Sequence, residues 1–175
     1  MSEVYVSTRC VLVSLAMCFV ASTLRAEEMA LPANLQSAMF KKIFGYDRSF
    51  EGQNEFSVLV VYANETSELE LILDAFDEVG VTATGVPSEK LADKIQFASI
   101  LYVLPGVDTS PVKPLCAEHG VLSISGVPAL AEEGEVSVGL GTENGRPRIV
   151  VNLGRAKSEN HQFAADLLRL SKVVP

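Results

Sequence analysis

Tryptophan is absent from the 175 residues, cysteine occurs three times, and basic residues never form a run. The cysteines are Cys10, Cys18 and Cys116. The first two lie in an N-terminal segment read below as a leader, so the mature chain keeps one thiol and can make no internal disulfide. Lysine and arginine number 14 against 22 acids, a net charge of −8. The nearest basic groupings are Lys41-Lys42, Arg146 with Arg148, and Arg155 with Lys157. Cations so scattered and outnumbered do not neutralise a row of phosphates, which argues against nucleic acid as a partner. Low-complexity tracts, repeats and dividing linkers are also missing, and 48% hydrophobic against 21% charged residues is a globular balance.

Catalytic signatures are missing too. The sequence holds no phosphate loop of the G-x-x-x-x-G-K-[ST] kind, no H-E-x-x-H helix and no G-x-S-x-G turn. Gly139-Leu140-Gly141 falls in an expected hairpin, whereas a dinucleotide loop needs a helix start directly behind its glycines. His119 and His161 are far apart in sequence, at expected helical positions. Cys116 with His119 three residues on is the one nucleophile pair, with no third group in view to orient it. Flanked by Leu115 and Ala117, Cys116 also reads as a small buried apolar residue. No catalytic, cofactor or metal residues are assigned, and the chain is read as non-enzymatic.

What is present begins with a leader. Arg9 precedes an apolar stretch, Cys10–Val20, and Leu24-Arg25-Ala26 closes the segment before Glu27. This layout matches a secretory signal peptide over residues 1–26, ahead of a single domain over 27–175. The apolar stretch is shorter than the roughly 20 residues a membrane span takes. A buried N-terminal helix is the competing reading.

The mature chain alternates strand and helix. Leu31 to Gly45 fits a helix with Leu35, Met39, Ile43 and Tyr46 on its apolar side. Phe56–Ala63 and Ala98–Leu104 are apolar without alternation, as strands covered on both faces are. Asn64 is placed to cap a helix with Leu69, Ile72, Leu73, Phe76 and Val79 on its stripe, ended by Gly80. Further strands are expected over 81–86 and 121–125, with helices from Ser88 and over 111–119. Glu135–Leu140 then alternates strictly, as a half-exposed strand does. It pairs with Arg148–Val151 across Asn144-Gly145, a hairpin turn signal, so a hairpin should finish the sheet at one side. Asn152 should cap a long helix to about Leu170, with Leu153, Ala156, Phe163, Leu167 and Leu170 inward and Arg155 and Glu159 outward. The fold class is therefore α/β: a Rossmann-like three-layer sandwich, mostly parallel, with an antiparallel C-terminal hairpin and a long C-terminal helix.

The C-terminal third carries a resemblance. Val121–Ser125, Val136–Leu140, Ile149-Val150-Val151-Asn152-Leu153 with Ala156, and the tail Leu167–Val174 resemble the YfiR family, whose members close with a strand ending in Asn-Leu, a helix and a Leu-rich tail. The leader, the first helix and the strand Ala98–Leu104 agree in order. The resemblance implies a periplasmic α/β regulator without a catalytic site. It also implies a partner in the inner membrane, a diguanylate cyclase in the best-known case, with control of cyclic-di-GMP output and biofilm formation, and a homodimer. Two departures stand out: Asn64-Glu65-Thr66-Ser67 replaces a Gly-Asp-x-Phe-Gly-like turn, and paired cysteines are absent. The alternative function is a small-ligand-binding periplasmic module. Its site would lie at the strand ends Asn64-Glu65-Thr66, Leu104-Pro105-Gly106 and Ser125-Gly126.

Overall fold

The computed structural model describes residues 31–53 and 55–175; the leader assigned to residues 1–26 lies outside the described residues. The first helix, α1 (Ala33–Phe44), leads to strand β1 (Ser57–Tyr62), and α2 (Ser67–Glu78) returns the chain to β2 (Thr82–Pro87). A short helical stretch containing α3 (Leu91–Lys94) precedes β3 (Ile100–Val103); α4 (Val112–His119), β4 (Leu122–Ser125) and α5 (Pro128–Glu132) follow. The hairpin β5 (Val138–Glu143) and β6 (Arg146–Asn152) precedes α6 (Leu153–Ser158), α7 (Ala165–Leu170) and β7 (Lys172–Val174).

The strands form one sheet in the order β2-β1-β3-β4-β5-β6-β7. All neighbours pair in parallel except β5 with β6. Side chains of a strand alternate between faces, so β1 sends Val58 and Val60 one way and Leu59 and Val61 the other. The first set joins Phe40, Phe44, Ile72, Phe76 and Leu167 under α1, α2 and α7. The second joins Leu91, Ile95, Val112, Cys116 and Ala131 under α3, α4 and α5. This is the expected three-layer α/β sandwich with its antiparallel hairpin.

Several local expectations are corrected. The buried side of α1 carries Gln36, Ser37, Phe40, Ile43 and Phe44, whereas Leu35 (43%) and Tyr46 (38%) are exposed. Two polar residues in the buried stripe turned the apparent apolar face. Thr66, and not Asn64, is the N-cap of α2. The hairpin does not finish the sheet, because β7 adds in parallel beside β6.

The strand expected to be half exposed is buried on both faces. Ser137, Gly139 and Gly141 supply its small side, and α5 settles on the two glycines. A Cβ on Gly139 would lie 2.8 Å from Pro128 Cα, and one on Gly141 would collide with the Pro128 ring. Asn144 and Gly145 do form the hairpin turn, with φ of 52° and 73°, as a type I′ turn requires.

The long C-terminal helix is two short ones. Asn152 caps α6 as expected, accepting from Arg155 N at 2.8 Å. Asn160 then adopts a left-handed φ of 65°, which ends the helix. Residues 160–164 cross to α1, and α7 starts afresh. Leu153 and Leu170 end up exposed, while Ala156, Phe163 and Leu167 are buried.

The seating of α5 gives a direct test. Gly139→Ala pushes a methyl group into backbone that cannot yield, and should lower unfolding stability by about 1–3 kcal/mol, measured by urea titration. An unchanged midpoint would mean that α5 is not seated on β5 as described.

Candidate functional site

The order β2-β1-β3 places a reversal of winding between β1 and β3, the crevice where open α/β sheets hold ligands. Two of the strand ends named from the sequence, Asn64-Glu65-Thr66 and Leu104-Pro105-Gly106, flank that reversal; Ser125-Gly126 closes the neighbouring strand. The region beside Gly126 is occupied by the protein's own side chains. Tyr102 donates its hydroxyl to Gln36 Oε1 at 2.6 Å, and Gln36 Nε2 donates to the Leu31 carbonyl at 2.7 Å. A Cβ on Gly126 would lie 2.7 Å from the Tyr102 hydroxyl. The Tyr102 ring meets Phe40 and Phe76 edge-on at 5.8 and 5.9 Å, and burial pushes its phenol pKa up.

A second polar cluster lies at the opposite end of the sheet. Because β6 is antiparallel, α6 starts at the amino ends of the parallel strands. Glu159, expected on the outside of a long helix, is fully buried. It accepts from Ser123 N at 3.0 Å, from Ser123 Oγ at 2.5 Å and from the Ser137 hydroxyl, and it pairs with Arg155 at 2.9 Å. Arg155 also donates to the Lys113 carbonyl at 3.0 Å. Burial pushes the Glu159 carboxyl up, against the pull of the Ser123, Ser137 and Arg155 contacts. The carboxylate bridges β4 and β5 where their ladder begins.

Beside it sits Asp47, just past α1. His161 Nδ1 lies 2.5 Å from Asp47 Oδ2, and its Nε2 lies 3.2 Å from the Gly120 carbonyl. Asp47 Oδ1 accepts from Ser49 N at 2.9 Å and from Gln162 N at 3.3 Å. Burial raises the Asp47 pKa, but the bonds from His161 and the two amides outweigh it and hold the carboxyl below its ordinary range.

The remaining sequence candidates are kept apart. Cys116 is buried in the core, and burial pushes its thiol pKa up, against thiolate chemistry. His119 is exposed at the end of α4. His161 is buried with both ring nitrogens engaged, so the two histidines form no joint site. No group of three or more metal-ligating side chains occurs among the described residues.

The polar residues missed in the sequence are Gln36, Asp47 and Glu159. A Gln in the apolar stripe of α1 was the one visible signal; the other two depend on contacts across the chain. Two surface cavities accompany these features. One of about 750 Å³ lies by the hairpin and β7, with Arg146, Arg148 and Lys172 in its wall. The other, of about 600 Å³, is lined by Phe44, Tyr46, Arg48, Phe50 and Phe56 beside Asp47.

A family model described as YfiR/HmsC-like matches residues 33–172. No curated protein matches the chain. Among solved structures, a conserved domain protein from Vibrio cholerae aligns at a TM-score of 0.61 and 14% identity, over 82% of this chain and 60% of its own. The ABC domain in complex with L-Trp from Streptococcus pneumoniae aligns at 0.60 and 11% identity, over 82% and 62%. Ureidoglycine-glyoxylate aminotransferase from Bacillus subtilis aligns at 0.51 and 12%, over 76% and 40%. The chain thus spans about three fifths of the first two structures, and the likeness is one of fold.

The two buried carboxylates generate separate predictions. Glu159→Gln leaves Arg155 without its buried counter-charge and should cost about 3–5 kcal/mol, read from urea unfolding; a loss under about 1 kcal/mol would place the charge in solvent. For Asp47 the folded pKa lies below the unfolded one. The part of its contribution that needs the carboxyl ionised is therefore gained above the ordinary value of about 3.9 and is lost as pH falls through the folded value. Asp47→Asn should lower stability at about pH 5 and converge on the wild type in stronger acid. A pH-independent difference would contradict the assignment.

Proposed function

The chain belongs to the YfiR/HmsC-like family, and on that premise we propose that it is an exported, non-enzymatic regulator acting in the periplasm by binding another protein. The partner is a signalling protein anchored in the inner membrane, with a diguanylate cyclase as the specific case. By holding the periplasmic part of that cyclase, the chain restrains cyclic-di-GMP output and with it biofilm formation. Two copies associate in this reading. The observation that carries it is the family match over residues 33–172, which spans all but the outermost described residues.

The geometry is in keeping with this. The strand-end region beside Gly126 is filled by Gln36 and Tyr102, the thiol of Cys116 is buried, and the buried carboxylates are tied to structural donors. A protein read by its surface needs a rigid scaffold more than a reactive cavity.

A second reading, a small-ligand module, rests on one observation: a structure sharing the fold, the ABC domain from Streptococcus pneumoniae, is a complex with L-Trp. Here the aromatic cavity beside Asp47 is the place for such a ligand.

The two readings are separated by in-cell crosslinking of the tagged chain, followed by mass spectrometry. The regulator reading expects enrichment of one membrane-anchored protein that carries a cyclase domain, and a rise in cyclic-di-GMP when the chain is deleted. Recovery of soluble proteins alone, with unchanged cyclic-di-GMP, overturns it. The ligand reading expects a higher melting temperature with an aromatic amino acid; a flat response across such compounds removes it.

A further inference from the structure

The contact between His161 and Asp47 joins the two ends of the domain, and it is built for one protonation state of the imidazole. A carboxylate and a peptide carbonyl are acceptors only, and a neutral imidazole has a single N–H. With Nδ1 at 2.5 Å from Asp47 Oδ2 and Nε2 at 3.2 Å from the Gly120 carbonyl, both contacts are hydrogen bonds only when both nitrogens carry protons. Removing one proton sets a lone pair against an oxygen. The side chains are 3% and 0% exposed, so water is not at hand to fill the gap, and the mismatch falls on the packing.

The segments joined here are otherwise held by a few hydrogen bonds to backbone carbonyls. Arg48 N donates to the Gln162 carbonyl at 2.9 Å, and Ala164 N donates to the Tyr46 carbonyl at 2.8 Å. Ser49 Oγ donates to the Asn160 carbonyl at 3.0 Å. Residues 45–53 make no regular strand, and Asp47 meets Phe163 in an isolated bridge. The Phe50 ring lies 5.1 Å from the His161 ring and contacts Phe44 and Phe56, so a lifted loop uncovers aromatic surface.

Among the described residues, Asp47 is the ionised group paired with His161. From the loop after α1, Arg48 is exposed and reaches the α6–α7 connection through its backbone. From α4 the contact is the Gly120 carbonyl, with Glu118 and His119 exposed. Glu159 of α6 is committed to Arg155, Ser123 and Ser137, and Asp166 of α7 pairs with Arg169 at the surface.

We infer that His161 and Asp47 form a proton-dependent latch: the imidazolium holds the loop after α1 against the α6–α7 connection, and loss of its proton releases that loop. The latch closes on the acid side and opens as pH rises, exposing Phe50 and the aromatic cavity beside it. It does not depend on the regulator reading, since it follows from donor and acceptor geometry alone.

Nitrogen NMR of the His161 ring, with hydrogen exchange at the amides of Arg48, Ser49, Gln162 and Ala164, tests this across about pH 5 to 8, where imidazoles titrate. Expected are two protonated ring nitrogens on the acid side. Protection at the four amides, corrected for intrinsic exchange, should then fall about tenfold as the proton leaves, with β3 amides unchanged. His161→Gln, which carries no titratable proton, should show no such step. A neutral ring throughout, four amides whose corrected protection ignores pH, or a step that persists in His161→Gln overturns the latch. Should that variant fail to fold, the wild-type ring and amide measurements decide alone.

Discussion

Strands β1 and β3 carry apolar side chains on both faces, and that leaves no side of the sheet's centre that can meet water. Every layer follows from this. Val58, Val60, Ile100 and Tyr102 need α1 and α2 over them; Leu59, Val61, Leu101 and Val103 need α3 and α4. Tyr102 sits at the middle of the first face, its ring held edge-on by Phe40 and Phe76. Its hydroxyl cannot be left bare in that setting. Gln36 answers it, and because Gln36 is on α1, the same contact fixes where the helix lies. An apolar requirement thus dictates a polar one.

The amino ends of the strands show the converse. Here charge is buried, and burying it needs several donors per carboxylate. Glu159 has Ser123, Ser137 and Arg155; Asp47 has His161 and two peptide N–H groups. Such groups tie elements of the domain to one another.

The α/β class, the alternation of strands and helices in the first half and the hairpin turn were legible in the sequence, because they rest on local pattern. Val58–Val61 and Ile100–Val103 are unalternating, Gly120 closes a helix, and Asn144-Gly145 has the residue types a two-residue turn demands. What failed was set by distant contacts. Gly139 and Gly141 look like the solvent side of an alternating strand until Pro128 is placed on them. Arg155 and Glu159 read as an outward pair until Ser123 and Ser137 approach. The break at Asn160 is followed by the contact of His161 with Asp47, 114 residues earlier, which no helical period records. The YfiR-like resemblance was visible because its matching positions are apolar and local, and they carry no information about a partner surface.

That separation bears on how the chain comes together in time. Closing a loop of 114 residues is entropically costly, and the cost precedes the reward. The loop after α1 cannot be secured until residues 160–164 exist, and β7 must still add behind them. While the chain emerges from a ribosome or a translocation pore, the loop after its first helix therefore waits for nearly its last residues. A chain interrupted before His161 is left without this fastening.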